Sequence, residues 1–323
     1  VAAGQYHTCA VTDSGFVYCW GWNNRGELGD NSTTQSEVPV TVSNSLDGGF
    51  VNGQVRSVSA GAEYTCAVTT GNTVYCWGYN KYGQLGNGEG GTGSSKSLEP
   101  VKVASTNGFS NGSVRSVSAG GNHSCAVTTA ASGGKVYCWG LNGNGQLGDG
   151  RGGEHTDKSL VPVAVVDEDG FSNRSVRSVS AGGSHTCAVT DGGFVYCWGY
   201  NDYGQLGDLV DVSVAPEDSD EPCTNSSTTF RCSRVPVAVS DNGDEGFSNG
   251  SVESVSAGKL HTCAITTDSE NTVYCWGNNT NGQLGVNDKD GPEQCDLTTD
   301  PTKPRIYPCS NAPVKVVDGD EGF

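Results

Sequence analysis

Fourteen cysteines and five histidines are the residues of this 323-residue chain best suited to chemistry. The cysteines form seven local pairs: Cys9 with Cys19, Cys66 with Cys76, Cys125 with Cys138, Cys187 with Cys197, Cys223 with Cys232, Cys263 with Cys275, and Cys295 with Cys309. Zinc sites need Cys-x2-4-Cys spacing, which no pair here has. The pairs therefore read as disulfides, which persist in oxidising compartments. An extracellular or cell-surface location is expected; reduced, buried cysteines in a cytosolic protein are the alternative.

His7, His123, His185 and His261 share one repeated position, where the second copy has Tyr64. A ring of metal ligands or bases would need a residue that can do the same work in every copy, so these side chains are expected to be structural. No nucleophile recurs with a base and an orienting partner. No catalytic residue is expected, and the chain is read as a non-enzyme. Acidic clusters at Asp167 to Asp169, Asp241 to Glu245 and Asp318 to Glu321 raise calcium, but none completes Asp-x-Asp-x-Asp-Gly. They are expected to be solvated turn carboxylates, with no cofactor.

Seven Asn-x-Ser/Thr sequons, at Asn31, Asn111, Asn122, Asn173, Asn225, Asn249 and Asn278, are candidate glycosylation sites. Asn111, Asn173 and Asn249 occupy equivalent turns. Variable residues follow each Trp-Gly pair, and Trp22, Tyr79, Tyr82, Tyr200 and Tyr203 are the candidate ligand face among them. Aromatic loops suit protein or glycan recognition; ordinary loop variation is the alternative.

These residues are positioned by a repeat. Cys-Trp pairs begin at Cys19, Cys76, Cys138, Cys197 and Cys275, a period of about 60 residues. Each copy offers four strand candidates: a Val-x-Ser-Val-Ser-Ala run, Thr-Cys-Ala-Val-Thr, Val-Tyr-Cys-Trp, and Val-Pro-Val-x-Val. The 48 glycines fit short strands with tight turns rather than long helices. Four short strands per unit, repeated, predict an all-β fold: a β-propeller-like array of five four-stranded blades, as a closed ring or an open superhelical array. A single repeat domain over 1–323 is expected, with cores near 1–57, 58–115, 116–176, 177–252 and 253–323.

The string Ala-Gly-x-x-His-Thr…Val-Tyr-x-Trp-Gly-x-Asn-x-x-Gly-Gln-Leu-Gly resembles the regulator-of-chromosome-condensation repeat family over essentially the whole chain. That resemblance implies propeller blades. It also raises light sensing by Trp20, Trp77, Trp139, Trp198 and Trp276, but these lie in the Tyr-Cys-Trp-Gly strand and are expected to be core.

If Thr190 pairs with Phe194 across a turn, Cys187 faces Cys197, and opposite residues of antiparallel strands come close enough for a disulfide with slight strand movement. The Cys223–Cys232 and Cys295–Cys309 pairs would staple the two longest inserts.

The net charge is −18, and 18 Lys and Arg residues against 36 acids argue against nucleic acid. No run approaches the roughly 20 apolar residues of a membrane span. The chain has no Met, so Val1 is not expected to be a genetic start. Its end at Gly319 to Phe323 matches Gly243 to Phe247, as in a longer array or protomers joined head to tail. The expected function is a non-enzymatic extracellular structural or interaction protein, a self-assembling fibre or part of a surface array, whose partners are copies of itself or neighbouring repeats. The alternative is a secreted module that binds a protein or glycan through its loop face.

Overall fold

The computed structural model describes residues 1–45, 49–106, 108–154, 156–166, 170–171, 174–209, 223–225, 228–241, 246–287, 293–296 and 306–317. They divide into two compact units. The first holds 1–142 and 156–165; the second holds 143–155 and 166–323.

The first unit contains three four-stranded antiparallel sheets. Their strands are β1 (Ala2–Ala3), β2 (His7–Val11), β3 (Val17–Gly21) and β4 (Ser36–Thr41); β5 (Val55–Ala60), β6 (Tyr64–Thr69), β7 (Val74–Tyr79) and β8 (Lys96–Lys102); and β9 (Val114–Ala119), β10 (His123–Thr128), β11 (Val136–Leu141) and β12 (Lys158–Ala164). The second unit contains β13 (Val176–Ala181), β14 (His185–Thr190) and β15 (Val195–Tyr200). It continues with a separate hairpin, β16 (Cys223–Asn225) and β17 (Thr228–Phe230), and then β18 (Cys232–Ala238), which completes the fourth sheet. The fifth sheet has β19 (Val252–Ala257), β20 (His261–Thr266), β21 (Val273–Asn278), β22 (Glu293–Asp296) and β23 (Ile306–Lys315). This sheet has five strands rather than the expected four, because the insert adds β22 outside β23. The expected core boundaries near 57/58 and 115/116 fall inside first strands, which start at Val55 and Val114.

In the first four sheets the Trp-Gly strand lies between the second and fourth strands, and in the fifth β21 lies between β20 and β23. β6, β10 and β14 are buried on both faces, which explains their continuous apolar runs. The expected register holds: Val189 faces Val195, Ala188 faces Tyr196, and Cys187 faces Cys197. Thr190 N donates to Phe194 O, so the hydrogen-bonded pairs alternate from there and the cysteines fall on a non-hydrogen-bonded pair. That is the closer kind of pair, with a Cα–Cα distance of 4.1 Å. Beyond it the register between β15 and β18 shifts between Cys197 and Gly199. Gly199 sits at φ +104°, and a Cβ there would lie 2.7 Å from Ser184 O. Only glycine fits this bulge.

Successive sheets within a unit meet through one repeated seam. Trp77 Nε1 and Thr65 Oγ1 both donate to Glu27 O, at 2.9 and 3.0 Å. Trp139 and Ser124 do the same to Gln84 O, Trp198 and Thr186 to Gln146 O, and Trp276 and Thr262 to Gln205 O. The glycine that ends each of these loops lies flat on the tryptophan; a Cβ on Gly148, at φ +66°, would meet Trp198 Nε1 at 2.8 Å. From the other side Phe50, Phe109, Phe171 and Phe247 pack against Trp77, Trp139, Trp198 and Trp276, with centroids 5.7–6.2 Å apart. A repeat of this kind is stable only against its neighbour.

Candidate functional site

The loops after the second and fourth Trp-Gly pairs are each held by two buried amide side chains. Asn80 and Asn201 accept from the N–H of Leu85 and Leu206, and Gln84 and Gln205 accept from the N–H of Tyr82 and Tyr203. Glu27 takes the glutamine's place in the first copy and accepts from Arg25 N at 2.8 Å. In these two loops the residue after Trp-Gly and the third residue beyond it, Tyr79 and Tyr82 or Tyr200 and Tyr203, keep partial exposure, whereas the equivalent Leu141 and Asn278 are buried. Both are variable positions of the sequence. The bracing roles were not read from the sequence, although recurrence of Asn and Gln at fixed offsets in the copies is a signal for them.

In the first unit Tyr79 and Tyr82 stand edge to face, with centroids 6.5 Å apart. Both carry a cation from the chain itself. The Arg25 guanidinium lies 4.7 Å from the Tyr79 centroid, and Lys81 Nζ lies 5.0 Å from that of Tyr82. Arg25 also approaches Glu63 at 4.0 Å. Trp22, on the preceding loop, is 41% exposed.

In the second unit Tyr200 and Tyr203 form a matching pair, 6.4 Å apart. Here the pair is extended at both ends: Phe230 lies 5.8 Å from Tyr200, and Tyr307 lies 6.0 Å from Tyr203. All four rings are half-buried. The added rings come from the stapled inserts, each two residues before the closing cysteine, in Phe230-Arg231-Cys232 and Tyr307-Pro308-Cys309. The disulfides Cys223–Cys232 and Cys295–Cys309 hold those segments. Phe230 and Tyr307 were not singled out from the sequence; the shared aromatic-x-Cys-Ser ending of both inserts is the signal that marks them.

Asp202 accepts from the Tyr200 hydroxyl at 2.8 Å and from Arg231 N at 2.6 Å. Burial raises the Asp202 carboxyl above its usual range, against the pull of these donors and of the Arg231 charge. Burial, with Asp202 alongside, raises the Tyr200 phenol as well.

The other candidate residues take structural places. All seven cysteine pairs are disulfides: Cys9–Cys19, Cys66–Cys76, Cys125–Cys138, Cys187–Cys197, Cys223–Cys232, Cys263–Cys275 and Cys295–Cys309. His7 Nε2 lies 2.8 Å from Thr65 Oγ1 across the seam, and His185 Nε2 lies 2.9 Å from Thr262 Oγ1. Because Thr65 gives its proton to Glu27 O, it accepts from His7 Nε2–H. Nδ1 of His7 is buried without a hydrogen-bond partner, so a second proton has nothing to receive it. Burial lowers His7 to about 4 and His123 to about 3, and lowers His261 as well. Tyr64 fills the same place by donating to His123 O. Trp77, Trp139, Trp198 and Trp276 are fully buried, whereas Trp20 keeps some exposure.

The sequon amides at Asn111 and Asn249 are clips. Asn249 Oδ1 accepts from Val195 N while Nδ2 donates to Val195 O and Val239 O. Asn111 does the same with Val74 and Val103, and so does Asn52, where no sequon exists. Asn278 is 5% exposed, and its Oδ1 accepts from Gln283. Asn31 is exposed and Asn122 half-buried. Asn173 and the Asn225 side chain lie outside the described residues, as do the acidic clusters at 167–169, 242–245 and 318–321. Among the described residues no three His, Cys, Asp or Glu side chains are grouped to hold a metal.

Residues 1–318 match the family described as RCC1-like domain. The chain belongs to the RCC1-like family. The ultraviolet-B receptor UVR8 of Arabidopsis thaliana is 34% identical over 286 residues, which are 88% of this chain and 54% of that protein. The mitochondrial RCC1 domain-containing protein RUG3 of the same plant is 29% identical over 88% of this chain and 55% of its own length. The chain thus spans about half the length of these relatives. The crystal structure of Prp20p from Saccharomyces cerevisiae superposes with a TM-score of 0.71 at 21% identity, covering 98% of this chain and 62% of that one. The all-β blades are those of an RCC1 β-propeller.

Proposed function

We propose that this RCC1-like chain is a non-enzymatic interaction module that works outside the cell and binds a protein partner through the braced aromatic loops of its blades. The observation that carries the reading is the four-ring chain Phe230–Tyr200–Tyr203–Tyr307, to which two disulfide-stapled inserts each contribute a ring. Rigid, half-exposed aromatics contribute area at low entropic cost and are enriched at binding hot spots. Seven disulfides fit an oxidising compartment. Capture from the source's extracellular fraction on immobilised chain, compared with a Tyr79→Ala, Tyr82→Ala, Tyr200→Ala, Tyr203→Ala variant, tests it. Partners retained by the chain and lost by the folded variant are expected; identical captures overturn the reading.

Assembly of copies into a filament is the second reading. The favouring observation is that the described seams reuse one set of parts, so a sheet face of one copy suits a loop of another. Particle mass in solution separates the two readings.

A further inference from the structure

The loops after Trp77 and Trp198 read Gly-Tyr-Asn-Lys81-Tyr-Gly-Gln-Leu-Gly and Gly-Tyr-Asn-Asp202-Tyr-Gly-Gln-Leu-Gly. They differ at one residue, and that residue reverses the charge beside the second ring. In the first unit Lys81 covers Tyr82, and Arg25 of the preceding loop covers Tyr79. In the second unit Asp202 stands in the place of Lys81, and Asn144 in the place of Arg25. Among the described residues no cation lies over Tyr200 or Tyr203; their ring partners are each other, Phe230 and Tyr307, while the Arg231 charge acts on Asp202 beside them.

Charge is divided in the same way. The first unit's residues include nine acids and eight bases, and the second unit's include 27 acids and ten bases. Almost the whole net negative charge of the chain belongs to the unit whose ring pair lacks a cation. A cation is drawn to the negative face of an aromatic ring, and more strongly when a carboxylate stands beside it. Excess negative charge also attracts a basic partner from a distance and speeds encounter.

We propose that the ring chain Phe230–Tyr200–Tyr203–Tyr307, with Asp202 beside it, is the docking site for a lysine or arginine side chain carried on a basic segment of a partner protein. The partner supplies the cation that Lys81 and Arg25 supply internally in the first unit. Phe230 and Tyr307 lie on strands next to the disulfides Cys223–Cys232 and Cys295–Cys309, which limit the freedom of both rings before binding, so less order is lost when the cation arrives. This inference rests on the interaction-module reading and names the chemistry of one of its sites.

The test titrates the full, oxidised chain with a lysine octapeptide and with the same peptide acetylated on every Nε, by calorimetry at low and moderate salt. The expected result is saturable binding of the first peptide and none of the second. Asp202→Lys and Tyr203→Ala should each weaken binding at least tenfold, whereas Tyr203→Phe should keep it within about threefold. Asp191→Lys makes the same change in net charge at an exposed hairpin turn at the opposite end of the strands, and should change binding less than twofold. Equal losses for Asp202→Lys and Asp191→Lys would mean that net charge alone attracts the peptide, and would overturn the proposal. So would equal binding of the acetylated peptide, or unchanged binding by a folded Tyr203→Ala variant. If the octapeptide fails to bind while ring removal still abolishes partner capture, the cation site falls and the interaction module stands. If capture survives removal of the rings, the module reading falls on its own evidence.

Discussion

The seams between sheets and the loop ends beyond the Trp-Gly strand come from one repeat, yet they treat sequence in opposite ways. At each described seam a tryptophan and a hydroxyl share one carbonyl, with a glycine under the indole. At the loop ends the residue after Trp-Gly is Trp22, Tyr79, Leu141, Tyr200 or Asn278. Buried seam atoms are constrained by packing and by the need to satisfy every polar group. Loop-end rings keep exposed area that a partner can read. In this chain repetition marks what folds, and departure from repetition marks the surface that the proposed partner would read.

The sharpest way to break that contrast is at the seam. Trp198→Ala removes the indole over Gly148, the ring against Phe171 and the donor to Gln146 O. Replacing a fully buried tryptophan costs about 3–5 kcal/mol, read as a lower urea midpoint for the second unit. A loss no larger than that of Tyr203→Ala would put seam and loop end on one footing. Next comes the hairpin staple. Cys187→Ala with Cys197→Ala should cost about 2–3 kcal/mol, because the bond closes a short loop in the unfolded chain. The strands should still pair, since their register is set by the turn at Thr190 and by the flanking valines.

Acid should act on seams before loop ends. The folded values of His7 and His123 lie at about 4 and 3, below the ordinary 6.5. Between those values the unfolded chain binds protons that the folded chain refuses. Stability therefore holds above about pH 6.5 and falls as pH drops toward 4, by on the order of 2 kcal/mol for a histidine this buried. Substituting His7→Tyr, after the natural Tyr64, should flatten that slope in the first unit. An unchanged pH profile of thermal unfolding would show that His7 takes no part in it.

The strands, their order, the hairpin register and the disulfides were legible in the sequence because they are local. Cys187 and Cys197 are ten residues apart, and period-two patterning settles which residues face each other. The recurrent Trp and His were recognisable as structural for the same reason, since a repeated residue answers a repeated environment. What was not legible needed contacts distant in sequence. The extra strand β22 depends on an insert turning back along β23. The ring chain needs Tyr307 to reach Tyr203 across more than one full repeat, which no local pattern announces. Asn111 and Asn249 carry a role that the Asn-x-Ser pattern does not announce: the fold uses the amide as a clip and the serine hydroxyl to bond a turn carbonyl.

The smallest expected effect sharpens the comparison most. Arg25 belongs to a loop end, lies over Tyr79 and approaches Glu63. Either contact could give it value, and they respond differently to change. The pair with Glu63 is long, and both side chains are more than a third exposed, so water and salt screen it and its worth is near zero. The guanidinium over the ring is worth roughly 0.5–1 kcal/mol at an exposed site. Arg25→Gln should therefore lower stability by about 0.5 kcal/mol, and Glu63→Gln by a smaller amount close to the error. The loss on Arg25→Gln should persist when salt is raised, because the ring face carries no net charge for ions to neutralise. A loss that vanishes in high salt, or that Glu63→Gln reproduces, would assign Arg25 to an ion pair. The first unit's ring would then be no precedent for a cation at Tyr200 and Tyr203.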